Sequence, residues 1–211
     1  MLGSIISRAA SRIRRFGLRN SFRHICTAVL PKIYMDMRYG GRYCFDAPDL
    51  NQGVQHGLIH SDLTALRYVF QNIEIGPTEV LVDVGCGQGR VLNYWLGSGL
   101  KNKLIGIEFD RETAGNSAKA YRKHRNVQII CGDAAEVAAE CGGSLFYLFN
   151  PLLPDGMSRF EEGLRGKPVR ILYYYPRYIS PFENDNWQIT HIDRGEADYP
   201  LAIIVSTSVT R

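Results

Sequence analysis

Two short stretches of this chain place residues at spacings that suit the binding of a charged small molecule. In "DVGCGQG", Asp83 is followed by Gly85, Gly87 and Gly89 at alternate positions. Glycines so placed let a ligand approach the backbone because no Cβ intervenes, and at the mouth of a helix they would present free N–H groups to it. A loop that receives a pyrophosphate has the spacing G-x-G-x-x-G, its last glycine allowing tight helix packing. Here Arg90 stands at that last position, and the Asp83 carboxylate would repel an anionic group. A carboxylate there suits a ligand that carries positive charge. The second stretch is "LIGIEFD", in which Glu108 lies 25 positions after Asp83. An acidic residue at the tip of the next strand can accept hydrogen bonds from both hydroxyls of a ribose.

A ribose and a cation without a phosphate describe S-adenosylmethionine, which has an ammonium and a sulfonium at one end and adenosine at the other. Two further positions extend the pattern: Asp133 in "IICGDAAE" and Asn150 in "LFYLFNPLLP". Each also has a purely structural reading. Asp133 is a preferred helix N-cap, Glu108 a solvated strand end, and Asn150 a turn former before proline. Cys86 reads as a small loop filler, since no basic partner in the sequence activates it as a nucleophile.

The elements that must position these residues follow from the apolar pattern. A helix through "LTALRYVFQNI", capped by Ser61, ends before the break at Gly76-Pro77. Strands are then expected at about 80–84, 103–108, 127–131, 144–149 and 169–175, alternating with helices at 89–97, 111–124, 133–140 and 156–164. Strands rich in Val, Ile, Leu and Phe are buried on both faces, and helices between them make right-handed crossovers. The expected fold is α/β, a doubly wound, mostly parallel sheet. "WQITHI" and "LAIIVST" are separated only by "DRGEADYP", too short for a crossover helix, so they should pair as an antiparallel hairpin at one side of the sheet.

From Ser61 to about Thr207 the sequence resembles the class I, seven-stranded S-adenosylmethionine-dependent methyltransferases. "DVGCGQG" matches the family's first motif, D-x-G-x-G-x-G; Glu108, "IICGDAAE" and "LFYLFNPLLP" match its second, third and fourth. The resemblance implies a seven-stranded sheet and an enzyme with S-adenosyl-L-methionine as cofactor. Asp83 and the backbone of Gly85, Cys86, Gly87 and Gly89 would hold the methionine part, Glu108 the ribose, and Phe109 one face of the adenine. Asp133 would accept from the adenine amino group, and the Ala134 N–H would reach the ring. Asn150 is the candidate catalytic residue, and no metal ligand set is nominated. A closer likeness is to uncharacterised bacterial methyltransferase-like proteins with an Arg-rich N-terminal helix.

Amino-group methyltransferases of the family carry (D/N)PP(Y/F) at the fourth motif. This chain keeps Asn150-Pro151 but has Leu152-Leu153 in place of the second proline and the aromatic, which weakens a base- or amide-methylating reading. The expected activity is methyl transfer to an oxygen or nitrogen nucleophile, with a small-molecule or glycan- or lipid-linked acceptor favoured. A protein lysine is the sharper alternative, and a non-catalytic membrane-associated scaffold is the alternative of another class. "YYYPRYISP" offers Tyr174, Tyr175 and Arg177 to an acceptor pocket, while Tyr173 and its neighbours equally suit an ordinary strand.

Length and composition agree with one domain and an appendage: 211 residues, 45% hydrophobic and 22% charged. Residues 1–43 hold nine Arg or Lys against the single acid Asp36, while the remainder holds 16 basic and 20 acidic residues. Leu2, Ile5, Ile6, Ala9, Ile13 and Phe16 recur at helical steps, with Arg8, Arg12, Arg15, Arg19 and Arg23 on another face. This amphipathic helix reads as packed against the body, as lying on an anionic membrane surface, or as a mitochondrial transit peptide if the source is eukaryotic. Nucleic acid ranks last as a partner, since no recognised motif accompanies the charge. Residues 1–57 are thus the helix and its linker, and 58–211 the binding domain. Five cysteines without a CxxC pair argue for a reducing compartment, and no apolar run reaches membrane-spanning length, so the expected location is cytoplasmic, with membrane association through the helix.

Overall fold

A computed structural model describes residues 63–192 and 199–209, together with Leu30, Tyr34 and Arg38, which are helical. The expected Ser61 cap, the amphipathic helix from Leu2 and the linker over residues 39–57 lie outside the described residues. The elements are α1 (Leu63–Gln71), β1 (Leu81–Val84), α2 (Arg90–Gly97), β2 (Leu104–Glu108), α3 (Arg111–Tyr121) and β3 (Val127–Cys131). They continue with α4 (Ala134–Val137), β4 (Leu145–Leu148), α5 (Pro154–Leu164), β5 (Arg170–Tyr174), β6 (Trp187–Ile192) and β7 (Leu201–Ser206).

The seven strands form one sheet in the order β3-β2-β1-β4-β5-β7-β6. β1 to β5 run parallel, and β7 is antiparallel to both β5 and β6. The doubly wound sheet with its end hairpin is therefore present as expected. The hairpin folds back so that its second strand lies inside and its first lies at the edge. Composition accounts for this: "LAIIVS" is mostly buried, whereas "WQITHI" exposes Gln188, Thr190 and His191, polar groups suited to an unpaired edge. Two helices are shorter than their apolar patterns suggest. α3 stops at Tyr121 and α4 is a single turn.

One layer of the core buries Val82, Ile105, Phe146, Ile171 and Tyr173 against Met157, Phe160 and Leu164 of α5. The other buries Leu81, Leu104, Tyr147 and Leu172 against Leu66 of α1, Leu92 and Trp95 of α2, and Tyr121 of α3. Alternate residues of each strand thus feed opposite layers, which is why the strands show no polar alternation. The chain passes from β1 outward to β3 and then returns to place β4 on the other side of β1. This reversal opens a crevice at the carboxyl ends of β1 and β4, the place where open α/β sheets bind ligands.

One buried polar contact ties the hairpin to the body. Trp187 of β6 donates from Nε1 to the Glu161 carboxylate of α5 at 2.6 Å, and Arg165 donates to the same carboxylate from Nε at 3.1 Å. Burial pushes the Glu161 carboxyl up, but the bonds from Arg165 and Trp187 outweigh it and hold it below its ordinary value. Its contribution to stability is therefore present above the ordinary carboxylate range and lost as the pH falls through the depressed value. Trp187→Phe should destabilise the fold by about 2 kcal/mol or more at neutral pH, through lost packing and a weakened buried acceptor. Urea unfolding at neutral and acidic pH checks this, with the difference narrowing in acid.

Candidate active site

The glycine loop between β1 and α2 is a turn that other side chains would not allow. Gly85, Gly87 and Gly89 have φ of 76°, 51° and 89°, in the left-handed region that favours glycine. A Cβ on Gly89 would stand 2.3 Å from the Tyr121 hydroxyl, and one on Gly85 would stand 3.0 Å from the Pro151 Cβ. From α3, Ser117 Oγ donates to the Gly87 carbonyl at 2.8 Å and Tyr121 Oη to the Gly89 carbonyl at 2.7 Å. Sequence reasoning missed both residues, because a serine and a tyrosine in a helix carry no signal of a loop they will meet.

The loop N–H groups are not free, contrary to expectation. Those of Gly85 and Cys86 both donate to the Ile107 carbonyl at 2.9 Å, and that of Gly89 donates to the Cys86 carbonyl at 2.8 Å. The Gly87 N–H donates to Glu108 Oε2 at 2.8 Å. The glycines thus serve the turn and the close approach of neighbours, while the N–H groups hold the loop to β2. Cys86 is buried, with its Sγ against Gly106, and burial followed by the charges of Asp83 and Glu108 pushes its thiol well up. That is the filler role rather than a nucleophile's.

Asp83, next to last in β1, is a buried carboxylate to which no described residue donates a hydrogen bond or offers an ion pair. Burial, then the negative charge of Glu108, pushes its carboxyl well above the ordinary value. A buried charge without a counter-ion is costly, and a cationic ligand would relieve that cost. Glu108 is half-buried, and its Oε1 accepts from the Asp110 N–H at 2.9 Å while Oε2 accepts from Gly87. Each carboxylate oxygen keeps a further lone pair, so two hydroxyls can still bind. Phe109, next along the chain, exposes 77% of its surface.

Asp133 caps α4: its Oδ1 accepts from the Ala135 N–H at 2.9 Å, and its Oδ2 pairs with Arg159 of α5 at 3.2 Å. The cap reading therefore holds, and the structure adds Arg159, which a lone arginine in an amphipathic helix did not signal. The Ala134 N–H opens the same helical turn and has no hydrogen-bond partner among the described residues. Asn150 follows β4 with φ of 54°, and its neighbour Pro151 packs on Gly85. The fourth motif thus abuts the first. The Asn150 Oδ1 accepts from the Tyr173 hydroxyl at 3.0 Å.

The tyrosines at the end of β5 and just after it divide. Tyr174 is buried in contact with Phe149 and Tyr199, at centroid distances of 5.0 and 5.7 Å, so it is a core residue rather than a pocket lining. Tyr175, at φ of 56°, stacks on Tyr199 at 4.1 Å with the Arg177 guanidinium 5.6 Å from its ring. Gly89→Ala should lower stability by about 2 kcal/mol or more, from backbone strain and the collision with Tyr121. Thermal unfolding checks this, and a neutral outcome would mean that the turn is less tightly held than the geometry states.

Residues 82–142 match the methyltransferase domain family, and they contain Asp83, the glycine loop, Glu108, Phe109, Asp133 and Ala134. No curated protein matches the chain. Among solved structures, the chain is similar to a TehB-like SAM-dependent methyltransferase from Corynebacterium glutamicum at 15% identity and a TM-score of 0.52, over 67% of this chain and 86% of that one. It is also similar to an RNA methyltransferase from Salinibacter ruber in complex with S-adenosyl-L-homocysteine, at 16% identity and a TM-score of 0.52, over 70% and 93%. A third similar structure is a mitomycin 7-O-methyltransferase, at 13% identity and a TM-score of 0.53, over 68% and 54%. These acceptors differ in class, as expected where one fold serves many reactions. Residues 82–142 thus match a methyltransferase domain, and the described body has the α/β fold, with its seven-stranded, mostly parallel sheet, of the S-adenosylmethionine-dependent methyltransferases it is similar to.

Proposed function

We propose that this protein moves a methyl group from S-adenosylmethionine to an oxygen or nitrogen nucleophile on a small molecule or a glycan- or lipid-linked acceptor. The observation that carries the reading is Asp83, a buried carboxylate without a counter-ion among the described residues, set beside a glycine turn. S-adenosylmethionine supplies, when bound, a methyl group already activated on a sulfonium.

The chain's residues divide the remaining work. Asp83 accepts from the ammonium of the methionine part, and the Gly85, Cys86, Gly87 and Gly89 backbone gives that part room. Glu108 accepts from the ribose hydroxyls, and Phe109 covers one adenine face. The Ala134 N–H meets the ring, and Asp133, already held by Ala135 and Arg159, accepts from the adenine amino group. Asn150 meets the acceptor, a role supported by the packing of its neighbour Pro151 on Gly85. A positioned nucleophile in a water-poor crevice is the main thing such a reaction asks of the protein.

Calorimetry with S-adenosylhomocysteine tests the assignment: saturable one-to-one binding is expected, weakened about 10- to 100-fold in Asp83→Ala, as loss of a charge-assisted contact implies. A folded wild-type sample that gives no binding heat refutes it. The raised Asp83 value adds a sign. The cationic ligand favours the ionised carboxylate, so binding releases protons when the pH is near the raised value, and affinity falls as the pH drops through it. Calorimetry in two buffers of different ionisation enthalpy reads that release; proton uptake, or none at any pH, contradicts the role given to Asp83.

A further inference from the structure

Behind Asn150 lies Tyr173, a buried tyrosine of β5 that none of the methyltransferase motifs includes. Its hydroxyl accepts from the Tyr178 N–H at 3.3 Å and donates to Asn150 Oδ1 at 3.0 Å. A hydroxyl has one proton, so both contacts together determine the direction of the chain Tyr178 to Tyr173 to Asn150. With the Asn150 amide turned over, the hydroxyl would accept twice, and its own proton would be buried with no acceptor among the described residues, the costlier arrangement. Burial also pushes the Tyr173 hydroxyl up to about 12, so it remains a donor throughout the working pH range. The amide is therefore held with its oxygen toward Tyr173. Its Nδ2 has no hydrogen-bond partner among the described residues.

We infer that Tyr173 is a positioning residue that fixes Asn150 as a hydrogen-bond donor toward the acceptor, and that the methylated atom is consequently an oxygen. The inference rests on the methyl-transfer reading above. A hydroxyl or carboxylate oxygen takes the Nδ2–H bond on one lone pair and offers another to the methyl. An amine has a single lone pair, which the reaction consumes, and it needs an acceptor where this site presents two N–H donors. Leu152 and Leu153 point the same way, since no aromatic ring follows Pro151 to stack on a planar amine. In the step itself the methyl carbon–sulfonium bond breaks as the carbon–oxygen bond forms. S-adenosylhomocysteine leaves with the sulfur electron pair, and a hydroxyl acceptor gives its proton to water.

The test uses the full chain with S-adenosyl-[methyl-13C]methionine and the small-molecule, lipid and glycan extracts of bacterial cells. The 13C shift of the transferred methyl distinguishes O–CH3 from N–CH3. The wild type should yield O–CH3. Tyr173→Phe, which frees the amide to turn, should lower acceptor kcat/KM about 10-fold and raise the ratio of N- to O-methylation, with S-adenosylhomocysteine affinity within about threefold of wild type. Asn150→Asp, which removes both donors, should lower O-methylation further, whereas an amine-accepting site would keep or gain activity. N–CH3 as the wild-type product, or an unchanged product ratio in a Tyr173→Phe protein that binds cofactor, overturns the inference alone. Cofactor binding without transfer into any extract overturns the methyl-transfer reading and this inference with it.

Discussion

A carboxylate buried near the end of the first strand, with no cation beside it among the described residues, is the condition around which the rest of the crevice is arranged. Asp83 lies on β1 between β2 and β4, buried and without a counter-charge among the described residues, and Glu108 adds a second negative group nearby. Left alone, such a pair weakens the fold; with a cation at Asp83 and hydroxyls at Glu108 it becomes a recognition device. The glycine turn, the α3 side chains that brace it and the proline of the fourth motif that packs on it are fixed against one another beside Asp83. The turn's N–H groups are taken up mainly by Ile107 and Glu108 of β2, so what it offers a ligand is proximity to Asp83 rather than a nest of N–H groups.

Much of this arrangement was readable from residue types. The unbroken apolar strands imply burial on both faces, and the alternation with helices implies parallel order. The short link between "WQITHI" and "LAIIVS" implies a hairpin. Asp83 was informative because a carboxylate contradicts a phosphate site, an argument that needs no coordinates. Which strand of the hairpin lies inside was not read from the sequence, although five of the six β7 residues are apolar while those of β6 are mixed.

What escaped the sequence are contacts between residues far apart in the chain whose types are individually ordinary. Tyr121 and Ser117 carry no mark of a loop some 30 residues earlier, yet they accept the task of bracing it. Tyr173 looks like any strand tyrosine, and only the register of β5 beside β4 brings its hydroxyl to Asn150. Asp133 shows the converse: its capping role was legible from its position, while its pairing with Arg159 was not. Local chemistry is written in short spacings, whereas the support of a site depends on register and helix docking, which short spacings do not encode.

The claim on which all else rests is that Asp83 reads positive charge on the ligand's amino-acid end. A thermodynamic cycle addresses it directly: S-adenosylhomocysteine and 5′-methylthioadenosine, which lacks that end, each titrated into the wild type and into Asp83→Asn. The account predicts that the wild type prefers S-adenosylhomocysteine and that the substitution removes at least about tenfold of this preference, as loss of a charge-assisted bond implies, while 5′-methylthioadenosine binds nearly as before. An equal loss for both ligands, or none for either, would contradict it.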